Sequence, residues 1–312
     1  MDYKKIFEEI YSELSKVEDE GSVANYIPEL SKIDPNRFGV QLTTVGGDNF
    51  AFGDWDVRFS IQSIAKVFSY VLAYSRIKSD LWERVGVEPS GTAFNSLVQL
   101  ESDKGIPRNP FINAGAIVIC DILVSQLESP KQEVLSFIRE LAGIDSINFN
   151  PSVAESERTS GYINMALVNF MKSFGNIHND IEEVMDLYFH ICSIEMSCEE
   201  LSKSFLFLAN NGVVPDSGKR VRSPSRTKRA NALMQSCGFY DESGQFTFKV
   251  GLPGKSGIGG GIVAIHPQRY CITVWSPRLN PKGNSYKGIL FLEEFTKHTE
   301  LSIFYDEFLV EK

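Results

Sequence analysis

The chain has 312 residues, of which 43% are hydrophobic and 23% are charged, a composition typical of globular proteins with a sizeable core. The formal net charge of -9 argues against a nucleic-acid-binding or anionic-membrane surface, which would need a basic field. The five cysteines include no C-x-x-C pair and the four histidines no metal-binding spacing, so we expect reduced thiols in a cytoplasmic protein without a disulfide framework or bound metal.

The first predicted elements are a helix and a hairpin. Apolar residues at helical spacing predict an amphipathic helix over 3–18. This segment lacks the continuous apolar stretch and small-residue cleavage site of a signal peptide. No part of the chain approaches the ~18 uninterrupted apolar residues of a membrane span. Alternation over 38–44, followed by a Gly-Gly-Asp-Asn turn, predicts a strand and a hairpin, and a second short strand is expected over 57–61.

Ser63 and Lys66 form an S-x-x-K motif where this second strand runs into a helix. Residues three apart share one helix face, so the Lys66 amine can reach the Ser63 hydroxyl. A serine needs a base to act as a nucleophile, and a lysine can be that base when an apolar surround lowers its pKa. The helix N-terminus would favour negative charge developing at the serine. The motif is typical of penicillin-binding proteins and β-lactamases, although alone it is short enough to occur by chance on a surface helix.

Helical patterns dominate the middle of the chain, and strand patterns follow. Helices are predicted over 67–76, 114–127, 133–141, 164–174, 181–192 and 198–210. Strands are predicted over 246–250, 261–265 and 270–275, with a final helix over 291–308. We interpret the six basic residues within 219–229 as a solvated loop before a helix rather than a binding site.

Strands at both ends of the chain, with helices between them, predict an α/β (α+β) fold in one catalytic domain, residues 1–312. In this interpretation about 1–66 and 213–312 form an α/β lobe, and about 67–212 form a helical lobe inserted into it.

A second motif, Lys255-Ser256-Gly257, is followed by Ile258 and three glycines directly before a predicted strand. On local grounds this segment is a turn that enters a hairpin, where glycines allow close backbone approach. In S-x-x-K enzymes, however, a K-[ST]-G strand lies opposite the serine. The backbone N–H groups of Ser63 and Ile258 could then form an oxyanion hole. Together the two motifs predict an active serine site much more strongly than either alone.

Longer motifs occur in a characteristic order and spacing. They are YIPEL at 26–30, QSIAK at 62–66, NPFINAGA at 109–116, SE at 156–157, CGFYD at 237–241, KSGIGGG at 255–261, WSP at 275–277 and GNS at 283–285. Together they resemble the serine-dependent glutaminases over about residues 22–290. The resemblance implies a β-lactamase-like fold, a mixed antiparallel sheet flanked by helices with a helical lobe. It further implies hydrolysis of L-glutamine to L-glutamate and ammonia, no metal or organic cofactor, and a homodimer or homotetramer.

Carried over motif by motif, the resemblance implies that Ser63 is the nucleophile, Lys66 its general base and Tyr240 a proton relay. The implied substrate-binding residues, among which Ile258 contributes its backbone as an oxyanion donor, are Tyr26, Ser63, Asn113, Glu157, Asn164, Tyr188, Tyr240 and Ile258. Glu157 would pair with the α-ammonium of glutamine. The amide and hydroxyl groups would hydrogen-bond the substrate's carboxylate and amide.

Local sequence alone favours plainer roles for several of these positions. Glu157 would be a solvated side chain in a polar stretch, and Tyr188 would be a core residue at helical spacing. Tyr26 and Tyr240 would be aromatic residues of a loop and a turn. These roles therefore depend on the resemblance.

Two positions depart from the family pattern. Ile258 stands where valine is usual, but its implied role uses only the backbone N–H. Ile163 stands where arginine is expected, which removes a supporting polar contact next to Asn164.

Two other functions fit some of the same residues. The first is a β-lactamase or D-Ala-D-Ala peptidase, since Tyr162-Ile163-Asn164 matches the Y-x-N element of penicillin-binding relatives. The missing signal peptide argues against it, because those substrates lie outside the cytoplasm. The second is an amino-acid-binding protein that has lost turnover, which the presence of both Ser63 and Lys66 disfavours.

Overall fold

The computed structural model describes residues 1–91 and 97–305. Its strands are β1 (Gly39–Thr44), β2 (Asn49–Gly53), β3 (Phe59–Ser60), β4 (Asn148–Phe149), β5 (Ile194–Met196), β6 (Gly254–Ser256), β7 (Gly261–His266) and β8 (Tyr270–Trp275). Its helices are α1 (Tyr3–Leu14), α2 (Ala65–Ile77), α3 (Leu97–Ser102), α4 (Asn113–Gln126), α5 (Pro130–Ala142), α6 (Pro151–Ser160), α7 (Tyr162–Ser173), α8 (Ile181–Cys192), α9 (Cys198–Ala209), α10 (Pro224–Cys237), α11 (Ser243–Lys249) and α12 (Tyr286–Thr299). Within the described ranges, no helix combines the length and apolar character that crossing a bilayer would require.

The main sheet joins the two ends of the chain. Its strand order is β2-β1-β8-β7-β6, and each neighbouring pair is antiparallel. Side chains alternate between its faces, as the two-residue repeat of a strand requires. Ile262 and Ala264 pack in one apolar cluster with α1 and α12, whereas Val263 and Ile265 belong to the cluster that includes the central helices. The sheet is therefore covered on both faces, with β6 at one edge.

The central helices bury a second core beside a small antiparallel sheet of order β3-β5-β4. Every residue from 65 to 74 in α2 and from 114 to 123 in α4 is buried, as expected for helices that are surrounded by protein. Asp121 is the one carboxylate within the buried stretch of α4, and Arg84 donates a hydrogen bond to it over 2.5 Å. This packing holds α2, the helix that follows Ser63, in the middle of the molecule.

Most of the predicted helices are confirmed to within a few residues, but the strand predicted over 246–250 is wrong. That segment lies in α11 and its C-terminal cap. Phe246 is buried and stacks on Phe239, with ring centroids 3.6 Å apart, whereas Phe248 is 90% exposed. In a strand both side chains would share one face. The burial of Phe246 and Val250, four residues apart, instead suits a helix.

The ends of three predicted elements also differ. The first helix ends at Leu14 rather than at residue 18, and the strand expected over 57–61 is paired only over Phe59–Ser60. The last helix starts earlier than expected and ends at Thr299, where Glu300 adopts a left-handed conformation. Residues 306–308, which the prediction included, lie outside the described residues.

The basic segment 219–229 is only partly a solvated loop. Arg222 is 4% exposed, and its guanidinium lies 5.3 and 5.2 Å from the ring centroids of Tyr70 and Tyr74 on α2. Delocalised guanidinium charge is weakly hydrated and packs well against aromatic faces. The interpretation of the whole segment as solvated is therefore wrong at Arg222, which fastens the segment to the central helices.

Candidate active site

A strained turn presents Ser63 at the end of β3. Residues Gln62–Ile64 form a short 3-10 turn that leads directly into α2. Gln62 has a φ of 50°, a left-handed conformation that costs a non-glycine residue about 1–2 kcal/mol. Its side-chain amide donates to the Ser60 hydroxyl over 3.0 Å, and that hydroxyl donates to the backbone carbonyl of Cys192. These contacts hold the turn and leave Ser63 at the base of a cavity.

Lys66 lies one helical turn beyond Ser63 and is 1% exposed. Its amine donates to the Asn113 side-chain oxygen over 2.6 Å and to the Phe111 carbonyl over 3.4 Å. Burial lowers the pKa of Lys66 to about 8, although the nearby Cys192 and Glu157 act in the opposite direction. Neutral Lys66 is therefore accessible at mildly alkaline pH, which a general base needs.

Tyr240 approaches Ser63 from the other side of the cavity. Burial raises the pKa of Tyr240 well above its usual value, and a hydrogen bond with the Ser63 side chain partly opposes that rise. The ring packs over the buried Lys255, whose amine lies 4.7 Å from the ring centroid and donates to the Ser256 carbonyl over 2.6 Å. The lysine of the K-S-G motif thus supports Tyr240 from beneath.

The glycines after this motif allow two backbones to approach each other closely. A Cβ at Gly257 would lie 2.4 Å from the Ile61 carbonyl oxygen, and one at Gly259 would lie 2.1 Å from that of Ser60. Neither distance is possible for a real side chain, so only glycine fits at these two positions. Their contact places Ile258 on the cavity wall beside Ser63.

One cavity of about 320 Å³ collects the binding residues that the sequence implied. All of them line it: Tyr26, Ser63, Asn113, Glu157, Asn164, Tyr188, Tyr240 and Ile258. Its volume falls in the range of small-molecule sites. Lys66 lies behind this wall and contacts it through Asn113.

The helical side of the cavity carries the polar groups. Asn113, the first residue of α4, accepts from Lys66 and donates to the Asn164 side chain over 2.9 Å. Glu157 is buried on α6, and this burial raises its pKa to about 7, while a hydrogen bond from Gln62 and the charge of Lys66 lower it. A buried carboxylate of this kind is suited to a cationic ligand group.

The remaining tyrosines occupy different depths. Tyr188 is buried on α8, with its ring centroid 5.9 Å from the Lys66 amine. Tyr26 is 57% exposed, in a segment before the first sheet, and forms part of the cavity rim. Across residues 1–91 and 97–305, no group of three or more His, Cys, Asp or Glu side chains converges as a metal site would require.

The glutaminase family model matches residues 21–304. A curated glutaminase of Saccharophagus degradans is 62% identical over 304 residues, which cover 97% of this chain and 99% of that protein. The chain belongs to the glutaminase family. This membership confirms the family and the enzyme class that the sequence motifs predicted.

Solved glutaminase structures share the fold. A probable glutaminase, ybaS, is 31% identical and superposes with a TM-score of 0.91, over 97% of this chain and 98% of that chain. Mglu in its glutamate form is 32% identical with a TM-score of 0.89, over 96% of this chain and 68% of that chain. The predicted mixed helix and antiparallel sheet of the serine β-lactamase-like fold is thereby confirmed.

Gln62 and Cys192 are among the cavity residues of this glutaminase that were not identified from its sequence. Gln62 precedes the serine, and its amide reaches the Glu157 carboxylate. Cys192 lies four residues after Tyr188, on the same face of α8, so helical spacing alone could have placed it beside that tyrosine. Ile163, the departure from the family pattern, lines the cavity and is half exposed.

Proposed function

We propose that this glutaminase hydrolyses L-glutamine to L-glutamate and ammonia through a γ-glutamyl ester on Ser63, with Lys66 as the general base. The observation that carries the proposal is the buried Lys66 amine, one turn from Ser63 and without a carboxylate hydrogen-bonded to it among the described contacts. A lysine held in this way can lose its proton near neutral pH.

The helical side of the cavity would bind the amino-acid end of glutamine. The buried Glu157 carboxylate offers a partner for the α-ammonium. The Asn164 amide and the Tyr188 hydroxyl supply hydrogen-bonding groups for the α-carboxylate. Binding at this end would direct the side-chain amide towards Ser63, between Tyr240 and Ile258.

Acylation then needs the removal of a proton from Ser63 and the delivery of a proton to the departing nitrogen. The Ser63 oxygen attacks the amide carbon while its proton passes to the Lys66 amine. The backbone N–H groups of Ser63 and Ile258 stabilise the negative oxygen of the tetrahedral intermediate. The Tyr240 hydroxyl donates a proton to the departing nitrogen and recovers one from Lys66, so that ammonia leaves and the γ-glutamyl ester remains.

Deacylation reverses the proton path with water in place of ammonia. Lys66 and Tyr240 remove a proton from the attacking water, and Ser63 leaves with a proton as glutamate forms. The relative Mglu, solved in its glutamate form, supports glutamate as a ligand of such a site.

The proposal is tested by the products that purified protein releases from L-glutamine, beside a Ser63→Ala control. We expect equimolar glutamate and ammonia from the wild type and none from the control. Asparagine serves as a second substrate. Its shorter side chain holds the amide carbon away from Ser63, and we expect turnover at least about 100-fold slower. Activity retained by Ser63→Ala would refute the serine mechanism.

Two further measurements separate the alternatives that the sequence left open. Covalent labelling of Ser63 by a fluorescent penicillin, with no turnover of glutamine, would indicate a penicillin-recognising enzyme. Glutamine binding by calorimetry without product over hours would indicate a binding protein.

We also propose that the chain is a single catalytic domain that acts in the cytoplasm as a homodimer or homotetramer. The five cysteines are buried and unpaired, which suits a reducing compartment. Light scattering coupled to size-exclusion chromatography measures the assembly, and a monomeric mass for active enzyme would contradict it.

A further inference from the structure

Tyr240 has a backbone conformation that is unfavourable for a residue other than glycine. Its φ is 55°, in the left-handed region that non-glycine residues avoid. Such a conformation persists only where surrounding contacts hold it, and it is commonly found at functional sites. The turn around it closes with a 2.8 Å hydrogen bond from the Glu242 N–H to the Phe239 carbonyl. This bond, and a 3.0 Å bond from the Phe239 N–H to the Ser243 hydroxyl, lie within the turn and do not fix where it lies relative to Ser63.

A buried asparagine from a distant part of the chain holds that turn. The Asn284 amide nitrogen donates to the Glu242 carboxylate over 2.6 Å, and the Asn280 amide donates to the same oxygen over 2.9 Å. Asn284 is fully buried. Hydrogen bonds to a carboxylate are stronger than neutral ones, so this contact helps to hold the turn that carries Tyr240. It acts together with a 3.2 Å backbone hydrogen bond from the Ser256 N–H to the Gly238 carbonyl.

The other end of the same amide holds the K-S-G strand. Ser256 is fully buried, and its hydroxyl donates to the Asn284 side-chain oxygen over 2.6 Å. Strand β6 then leads through Gly257 to Ile258. Gly283, next to Asn284, lies against both catalytic elements, since a Cβ there would be 3.7 Å from the Tyr240 ring and 3.8 Å from the Ile258 side chain.

We propose that Asn284 is a positioning residue that sets the Tyr240 hydroxyl and the Ile258 N–H at the correct distance from each other around Ser63. Its donor side fixes the Tyr240 turn, and its acceptor side fixes the strand before Ile258. Neither contact involves the residues that bind the amino-acid end of the substrate, which lie on α4, α6, α7 and α8. We call these two hydrogen bonds of the Asn284 side chain, to Glu242 and to Ser256, the clamp. Loss of the clamp therefore affects the chemical steps rather than substrate binding. The inference rests on the proposed function, because it assigns Tyr240 and Ile258 to those steps.

Asn284→Asp tests the clamp with almost no change in volume. It keeps an oxygen for Ser256 but places a second carboxylate against Glu242 in a buried site. We expect kcat to fall about 100-fold, as for other displacements of catalytic groups of about 1 Å, with KM changed less than about threefold. A merely structural loss would lower apparent kcat only through the folded fraction, so kcat per folded enzyme would stay at the wild-type value.

Adding Glu242→Gln to Asn284→Asp restores the hydrogen bond between residues 242 and 284 with donor and acceptor exchanged, while the Asn280 amide loses its acceptor on residue 242. We expect this double variant to recover kcat to within about tenfold of the wild type, because the pair again holds the turn. Asn231→Asp is the matched control. Asn231, on α10, is also buried, and its amide donates to the Leu208 carbonyl of α9 over 3.1 Å, away from the cavity. It should lose thermal stability and keep kcat within about twofold.

Ser256→Ala keeps the test decisive if Asn284→Asp does not fold. It removes only the hydroxyl that binds Asn284, and we expect kcat to fall about tenfold. Wild-type kcat in Asn284→Asp, or in Ser256→Ala if Asn284→Asp does not fold, would overturn the proposal. A double variant, Asn284→Asp with Glu242→Gln, that recovers no activity would also overturn it. Ser63→Ala separates this result from a failure of the proposed function. If Ser63→Ala is inactive while Asn284→Asp is fully active, the serine mechanism stands and only the clamp is wrong.

Discussion

At the scale of single residues, the chemistry of Lys66 depends on the removal of water. A solvated lysine is protonated at neutral pH and cannot accept a proton from Ser63. Here burial lowers the pKa of Lys66 to about 8, and Asn113 holds the amine without adding a negative charge. The motif predicted the pair, but the sequence could not show that Asn113 is its partner, since they are distant in the chain.

Replacing Lys66 separates a general base from a simple positive charge. We expect Lys66→Ala to lower kcat by about 1,000-fold or more, and Lys66→Arg to be equally inactive, because a guanidinium stays protonated in proteins. Lys203→Ala is the control, since Lys203 forms a surface pair with Glu199 on α9. Steady-state kinetics measure all three, and activity retained by Lys66→Arg would show that Lys66 acts only through its charge.

The pH dependence of kcat/KM follows from one basic group, Lys66, and one acidic group, Glu157. Lys66 must be neutral to accept a proton, and the neutral fraction rises through its pKa of about 8. Glu157 must be ionised to pair with an ammonium, and the ionised fraction rises through its pKa of about 7. Both effects have the same sign, so kcat/KM should increase from about pH 6 to about pH 9.

Glu157→Gln isolates the two limbs of this profile. We expect the variant to bind glutamine weakly and to lose the limb near the Glu157 pKa, while the limb from Lys66 remains. A wild-type rate that falls steadily over the same range would contradict both assignments.

Gln62 and Cys192 show what single-residue reasoning misses. Each is ordinary in its own segment, and each lines the cavity only because β3, α6 and α8 meet there. Long motifs contain the groups that we propose as catalytic, since those lie within continuous sequence. Neighbours across the cavity depend on packing that no local pattern encodes.

At the scale of elements, the segment 246–250 shows how an apolar run is misread. Alternating Phe246, Phe248 and Val250 suggested a strand, but the same spacing places two of the three on one face of a helix. Burial of Phe246 against Phe239 determined the outcome, and this contact involves the turn that carries Tyr240. Tertiary packing overrode local β-propensity here.

Two phenylalanine substitutions test α11 directly. We expect Phe246→Ala to lower the free energy of unfolding by about 3–5 kcal/mol, because it empties a buried site. Phe248→Ala is the matched control and should change it by no more than about 0.5 kcal/mol, because its ring is exposed. Denaturant unfolding measures both, and equal losses would indicate that the two rings share a buried face, as in a strand.

At the scale of the whole molecule, the fold brings together segments from both ends of the chain. Strands on either side of the central helices predicted an α/β fold, and the sheet order β2-β1-β8-β7-β6 agrees with that prediction. The strand order itself was not predictable, because the pairing of β1 with β8 joins segments more than two hundred residues apart. The result is a cavity with polar helical groups on one side and the edge strand on the other.

The cavity lowers the stability of the whole fold, since its wall buries the Glu157 carboxylate. The raised pKa of Glu157 means that the folded state loses stability as pH rises from the unfolded value towards about 7. We therefore expect Glu157→Gln to raise the Tm by about 2 °C or more at about pH 8. The gain should shrink at about pH 5, where the folded carboxyl is protonated. Thermal unfolding at both pH values measures this, and a lower Tm for the variant at the higher pH would contradict it.

The most direct test of the central claim, an acyl-enzyme on Ser63, is competition between water and hydroxylamine. Glutamine and the γ-methyl ester of glutamate are supplied as separate donors at one hydroxylamine concentration. After subtraction of the reaction without enzyme, a common γ-glutamyl ester predicts the same ratio of γ-glutamyl hydroxamate to glutamate from both donors, and neither product from Ser63→Ala. A ratio that changes with the leaving group, or hydroxamate formed equally well without the Ser63 hydroxyl, would contradict the account.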